Sequence, residues 1–178
     1  MAQNHQRARR HGFLPLDAGA HVMAREESTV AELFRNREPV RTEGYITDVF
    51  TDEAIRFVEE VHAGQPFLLY FATNAPHDPF QVPREYLDRY ADLPAKAAPN
   101  RDNGNPRKLS DYEQARYVYA MMTNLDDNLR RLAERLRELG EWENTVVVFL
   151  SDNGPAGFRF NAGLRDKKGT VCSYETAS

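Results

Sequence analysis

The stretch FLLYFA, residues 67–72, is a continuous apolar run with the length of one β-strand. A second such run, TVVVFL, occupies residues 145–150. Runs that are apolar at almost every position, rather than at alternate positions, are typical of strands buried on both faces of a parallel sheet. The two runs therefore predict an α/β fold in which helices flank a mainly parallel sheet.

A helical pattern precedes each predicted strand. The first helix is predicted to begin at residues 51–53, where acidic side chains favour a helix start, and to end at Gly64 and Pro66. The second is predicted between SDYE at residues 110–113, which has the form of a capping box, and Gly140, which can terminate a helix. The order of helix, strand, loop, helix and strand supports the α/β prediction.

The composition narrows the classes of protein to consider. The chain has 178 residues, of which 41% are hydrophobic and 28% charged, with a formal net charge of −4. This acidic balance, without a basic stripe, gives no case for nucleic-acid binding. The apolar runs are far shorter than the roughly 18 residues of a membrane span. The single cysteine, Cys172, excludes an internal disulfide framework and a multi-cysteine zinc site.

Asp152 and Asn153 directly follow the second apolar run, at the position where open α/β sheets bind ligands. They offer a carboxylate and an amide oxygen, which are hard ligands suited to Ca²⁺ or, as the less favoured ion, Mg²⁺. Because Asp-Asn-Gly is also ordinary turn chemistry, a turn without a metal is the alternative interpretation.

His77 and Lys168 are candidates for binding an anion. His77 lies in the loop after the first run, between two prolines, where a rigidly held histidine can bind an anion or protonate a leaving group. Lys168 belongs to the basic turn RDKKG at residues 165–169 and can hold an anion next to a metal. The alternatives are a solvated loop histidine and a solvated charge run. The order of the motifs is more informative than any one of them.

This order of motifs resembles the sulfatases, the formylglycine-dependent and arylsulfatase-like branch of the alkaline-phosphatase-like superfamily. The segments that carry the resemblance are VRTEGYITDVFTDEAIRFV (40–58), PFLLYFATNAPHDPF (66–80), MMTNLDDNLRRL (121–132), VVVFLSDNG (146–154) and LRDKKGTV (164–171). The resemblance implies an alkaline-phosphatase-like α/β fold, with a mainly parallel sheet flanked by helices, that is incomplete in this chain.

The resemblance also implies an activity and residue roles. It implies a sulfuric ester hydrolase that uses calcium to hydrolyse sulfate esters of small molecules or glycans. Asp152 and Asn153 match the family's calcium ligands. His77 and Lys168 match residues that contact the sulfate group, and they are therefore expected to be catalytic and substrate-binding. Neutralisation of charge by a metal and by cationic side chains is what displacement at sulfur needs.

The family's nucleophile has no counterpart in this sequence. It is a formylglycine formed in a C-x-P-S-R or S-x-P-x-R motif, and the 178 residues contain neither motif. Cys172 lies in VCSY, without the proline or the arginine, and the N-terminal aspartate pair that completes the family's calcium site is missing too. We therefore expect a partial sulfatase chain that is inactive alone. The alternative is a non-catalytic remnant that binds a divalent cation or an anion.

Three segments are expected along the chain. Residues 1–39 form a poorly patterned N-terminal segment with a short helix over residues 27–34, residues 40–171 a partial sulfatase catalytic domain, and residues 172–178 a divergent tail. The family is often periplasmic or secreted, but the basic N-terminal stretch lacks the apolar segment of a signal peptide, so the location stays open. A phosphoryl-transfer enzyme of the same superfamily is disfavoured, because those enzymes usually bind zinc or manganese with several histidines and aspartates.

Overall fold

The computed structural model describes residues 11–12, 33–63, 66–93 and 110–156, together with residue 168. Contacts between residues divide the chain into two compact units, Met1–Ala75 with Leu125–Thr145 and Pro76–Asn124 with Val146–Ser178. The elements, in chain order, are β1 (His11–Gly12), β2 (Leu33–Arg35), β3 (Glu38–Val40), α1 (Ile46–Val61), β4 (Leu68–Leu69), α2 (Arg84–Asp88), α3 (Asp111–Glu138) and a 3-10 turn (Trp142–Asn144).

Strands β2 and β3 form an antiparallel hairpin in which Leu33 pairs with Val40. The two residues of the turn, Asn36 and Arg37, have φ angles of 53° and 74°. Positive φ at both central residues is the signature of a type I′ turn, whose twist matches that of the flanking strands. The short helix predicted over residues 27–34 is therefore wrong at its last two residues, which belong to β2, and residues 27–32 lie outside the described part of the chain.

Helix α1 begins at Ile46, earlier than the predicted start at residues 51–53. Thr51 lies inside the helix, fully buried, and its hydroxyl donates a hydrogen bond to the carbonyl oxygen of Thr47 at 2.8 Å. A threonine hydroxyl can bond back to the preceding turn as well as cap a helix, and this ambiguity explains the misplaced boundary. The helix ends at Val61, and Gly64 lies outside the described residues.

The predicted boundaries of helix α3 are confirmed. The backbone N–H of Ser110 donates to Glu113 Oε2 at 3.1 Å, and the backbone N–H of Glu113 donates to Ser110 Oγ at 3.2 Å, which is a reciprocal capping box. At the other end Gly140 has a φ of 74°, and the N–H of Glu141 donates to the carbonyl oxygen of Leu136 at 2.9 Å. This is the hydrogen bond of a Schellman motif.

The hydrophobic core of the first unit lies between α1 and the second half of α3. Ala54 and Val58 of α1 pack with Leu132 and Leu136 of α3, and all four are nearly or fully buried. Full burial of a valine or leucine side chain contributes about 1.5–3 kcal/mol. Partly buried hydrophobic side chains complete the cluster: Ile55, Phe57, Phe67, Leu69, Phe71, Leu139 and Trp142.

The first apolar run contains strand β4, which pairs in parallel with β1. Phe67, Leu69 and Phe71 pack against the core, whereas Leu68 and Tyr70 are 64% and 62% exposed. The predicted burial of both faces is wrong here, because the hydrophobic core contacts only one side of the run.

The second apolar run is not a strand. Residues 146–150 have no regular secondary structure, and their side chains are 64–89% exposed. A strand that is apolar throughout needs neighbours at its edges and cover on both faces. The described part of the chain gives this run neither, and the prediction of a second buried strand is therefore wrong in this structure.

Among the described residues, no helix has both the length and the apolar character needed to cross a membrane.

Candidate functional site

The turn after the second apolar run carries Asp152 and Asn153, both in the second unit. Asp152 is exposed, whereas Asn153 is half-buried, and the hydroxyl of Ser151 donates to the carbonyl oxygen of Asn153 at 2.9 Å. The side-chain oxygen Oδ1 of Asn153 is buried and has no hydrogen-bond partner among the described residues. Leaving a buried acceptor unpaired costs about 1–3 kcal/mol, so this atom is suited to a positively charged ligand.

The donor atoms of this turn fit a hard cation. A carboxylate and an amide oxygen on adjacent residues are ligands of the kind that Ca²⁺ and Mg²⁺ prefer, and the unpaired Oδ1 of Asn153 is one of them. Calcium takes about six to eight oxygens, so Asp152 and Asn153 can supply only part of its coordination. Within the described residues, no group of three or more His, Cys, Asp and Glu side chains could hold a metal ion.

Lys168 is joined to the same turn through the backbone. Its N–H donates to the carbonyl oxygen of Pro155 at 2.9 Å, and its side chain is exposed. This hydrogen bond connects two of the candidate segments, although the bonded residues are thirteen positions apart in the sequence. The lysine therefore offers a mobile positive charge near the Asp152–Asn153 turn.

His77, also in the second unit, is held by its own neighbour. Its Nδ1 lies 2.8 Å from the carbonyl oxygen of Asp78 and 2.9 Å from Oδ1 of the same residue. The histidine side chain is 61% exposed. A hydrogen on Nδ1 can be donated to either of these oxygens, and Nε2 is the ring nitrogen that takes no part in the contacts with Asp78.

Two polar residues of the structure were not singled out from the sequence. Asp78 holds the ring of His77, and its position directly after the histidine was the available signal. Asn128 is 2% exposed in the middle of α3, where it donates from Nδ2 to Asp48 Oδ1 at 2.6 Å. Asn128 lies four residues before Leu132, on the same helical face, and this spacing could have identified it as buried.

Comparisons with known proteins agree on one family. The sequence model of the family named Sulfatase matches residues 9–175. An uncharacterised sulfatase of Escherichia coli K12, YdeN, is 35% identical over 137 residues, which are 76% of this chain and 22% of that protein. The N-acetylglucosamine-6-sulfatase of Homo sapiens is 27% identical over 129 residues, which are 62% of this chain and 22% of that enzyme.

Solved structures agree with the sequence comparisons. The crystal structure of Ps i-CgsB in complex with k-i-k-neocarrahexaose matches with a TM-score of 0.63 and 28% identity, over 81% of this chain and 29% of that chain. The chain belongs to the sulfatase family, and the α/β class predicted from the sequence is confirmed. It spans about a fifth of the length of the two curated relatives, at 22% of each.

Proposed function

We propose that this chain is part of a calcium-assisted sulfuric ester hydrolase of the arylsulfatase-like type, built on an alkaline-phosphatase-like sheet flanked by helices. Its membership of the sulfatase family supports the reaction class. The single structural observation that carries the proposal is the buried Oδ1 of Asn153, an acceptor with no partner among the described residues and adjacent to a carboxylate.

Asp152 and Asn153 would hold the calcium ion in this proposal. Together they contribute one charged and one neutral oxygen ligand, and the other ligands would come from elsewhere in the whole protein. Calcium bound there supplies positive charge against the oxygens of a sulfate ester. Magnesium fits less well, because it demands a stricter octahedral geometry and keeps several of its waters.

His77 and Lys168 would bind the sulfate group. The exposed ammonium group of Lys168 acts as a point charge, which suits a rotating tetrahedral anion. The Nε2 atom of His77 is directed away from the contacts with Asp78, so a protonated ring can donate from Nε2 to a sulfate oxygen or to the leaving group.

The substrate class that we propose is a sulfate ester of a small molecule or a glycan. One relative is named for N-acetylglucosamine 6-sulfate chemistry, and a solved neighbour was crystallised with k-i-k-neocarrahexaose. Both names support a carbohydrate ligand for the whole protein.

The proposed chemistry also requires a nucleophile. The 178 residues contain no C-x-P-S-R or S-x-P-x-R motif in which formylglycine would form. We therefore propose that this chain alone binds a cation and an anion but does not turn over a sulfate ester. The second candidate function is a non-catalytic protein that binds a divalent cation or an anion.

Calcium titration of the full chain by isothermal calorimetry tests the metal site. We expect saturable binding at concentrations up to about the millimolar range, and loss of that binding in Asp152→Ala. The matched control is Asp126→Ala, which removes an exposed carboxylate from the middle of α3 and should bind calcium as the parent chain does. A parent chain that takes up no calcium at these concentrations, or equal losses in both variants, would contradict the proposed site.

A further inference from the structure

The loop that contains His77 has a feature that the proposed function leaves unused. The carboxylate of Asp78 and the carbonyl oxygen of the same residue both lie within 2.9 Å of one ring nitrogen, Nδ1 of His77. Neither side chain is buried: 61% of His77 and 66% of Asp78 is exposed. Burial therefore does not explain why one ring nitrogen of His77 faces two acceptors at once.

We propose that Asp78 is a positioning residue that holds His77 in the tautomer with hydrogen on Nδ1 and so presents Nε2 to the ligand. The suggestion that this ligand is a sulfate group rests on the function proposed above. In a neutral imidazole one nitrogen is a donor and the other an acceptor, and the partner of one nitrogen decides the state of the other. With Nδ1–H engaged by Asp78, the tautomer no longer varies.

The carboxylate of Asp78 also affects the protonated ring that would bind an anion. A neutral ring in this tautomer has only a lone pair at Nε2, and it therefore cannot donate a hydrogen bond from Nε2 to an anion. A ring protonated at Nε2 is a donor at both nitrogens, and its positive charge then lies 2.9 Å from the carboxylate oxygen of Asp78. Asp78 thus orients the ring in its neutral form and balances the charge of the ring when an anion is bound.

The tautomer can be measured without any turnover. A long-range proton–nitrogen NMR correlation spectrum of the full chain, recorded at alkaline pH where imidazole is neutral, distinguishes the two tautomers of His77. We expect Nδ1–H in the parent chain and in Asp78→Asn, which keeps a side-chain oxygen. We expect a mixture of tautomers in Asp78→Ala, where only the backbone acceptor remains. A parent chain with Nε2–H, or an unchanged tautomer in Asp78→Ala, would overturn the proposal.

Binding of inorganic sulfate is the second readout. Loss of one hydrogen bond predicts weaker sulfate binding in Asp78→Ala by about threefold to tenfold, with Asp78→Asn between that variant and the parent. The matched control is Asp92→Ala, which removes another exposed carboxylate of the second unit and should change neither readout. If the parent chain binds no sulfate but Asp78→Ala still changes the tautomer, the proposed function is wrong and the role of Asp78 in orienting the ring stands.

Discussion

The helix pair α1 and α3 differs from the segment over residues 145–155 in the burial of its apolar side chains and in the hydrogen-bond partners of its buried amide. In the helix pair the apolar side chains of Val58 and Leu132 are buried, and the buried amide of Asn128 has partners. In the other segment the apolar side chains of residues 146–150 are exposed, and the buried amide oxygen of Asn153 has no partner among the described residues. The first region accounts for stability, and the second has groups available to a ligand.

The arginine side chains of the helix pair also have hydrogen-bond partners. Arg131 donates to Asp52 at 2.6 Å and to the side-chain oxygen of Asn128 at 2.8 Å. Arg135 donates to Glu59 at 2.7 Å. The bonds to Asp52 and Glu59 run from α3 to α1 alongside the apolar contacts, so they favour one register between the two helices. The difference between the regions can be tested by making the same substitution in both.

The largest expected effect comes from shortening a leucine. Leu132→Ala should lower the free energy of unfolding by about 2–5 kcal/mol, because it leaves a cavity between α1 and α3. Leu150→Ala makes the same chemical change at a side chain that is 82% exposed, and it should stay within about 0.5 kcal/mol of the parent chain. Urea unfolding followed by circular dichroism measures both. Similar losses at the two positions would mean that Leu150 is buried in solution.

An intermediate effect is expected from removing a buried amide. Asn128→Ala should cost about 1–3 kcal/mol of unfolding free energy, because Asp48 and Arg131 each lose a hydrogen bond. Asn153→Ala without calcium should not lower it, because Oδ1 has no partner to lose among the described residues and its removal relieves the cost of an unpaired buried acceptor.

Calcium should act differently on the two asparagine variants in this comparison. At a concentration about 100 times its dissociation constant, a ligand stabilises the folded state by about 2.7 kcal/mol. The parent chain and Asn128→Ala should show this gain in thermal unfolding, whereas Asn153→Ala should show little of it. An equal gain in all three proteins would be evidence against Asn153 as a ligand.

The smallest expected effect is the pH dependence of the ion-pair cluster that Glu53 and Arg56 of α1 form with Arg35 of β2. Burial by itself raises the pKa of Glu53, but hydrogen bonds from Arg35 and Arg56 outweigh it, so the pKa of this carboxyl lies below its ordinary value of 4.5. The folded state therefore holds fewer protons than the unfolded state near pH 4.5. The resulting stability is present above this pH and is lost as the pH falls through the pKa of the folded state.

Substitution of the same carboxyl measures this contribution. Glu53→Gln should be less stable than the parent chain at neutral pH, by less than about 1 kcal/mol, because the partner Arg35 is 41% exposed to solvent. The difference should shrink as the pH falls below 4.5. Glu143→Gln, at an exposed position, is the matched control. A difference that stays constant with pH would show that the charge of Glu53 is not responsible.

The parts of the fold that the sequence predicted well are those specified by neighbouring residues. Ser110, Glu113 and Gly140 lie within a few positions of the ends of α3, and both ends are where they indicated. The start of α1 was predicted too late because Thr51 can act either as a cap or inside a helix. The burial of a strand depends on partners far along the chain, and the apolar composition of residues 145–150 carries no information about those partners.

The candidate site was predicted at the level of the family. The order of the motifs around His77, Asp152 and Lys168 led to the sulfatases, and the family match over residues 9–175 confirms that assignment. The position of Asp78 directly after His77 made a contact between them possible, but whether the two side chains meet depends on the conformation of the loop. The roles of the four site residues remain predictions, because a ligand set is defined by distances and not by order in the sequence.

The exposed run of residues 145–150, TVVVFL, also affects how the protein behaves at high concentration. Six residues without charge or proline, five of them of high β-propensity, match the segments that stack into steric zippers between chains. Since the side chains of residues 146–150 are 64–89% exposed, two copies can pair along this run without either of them unfolding first. Val147→Lys would place a charge in the middle of the run, where it removes no core contact and opposes cross-β stacking.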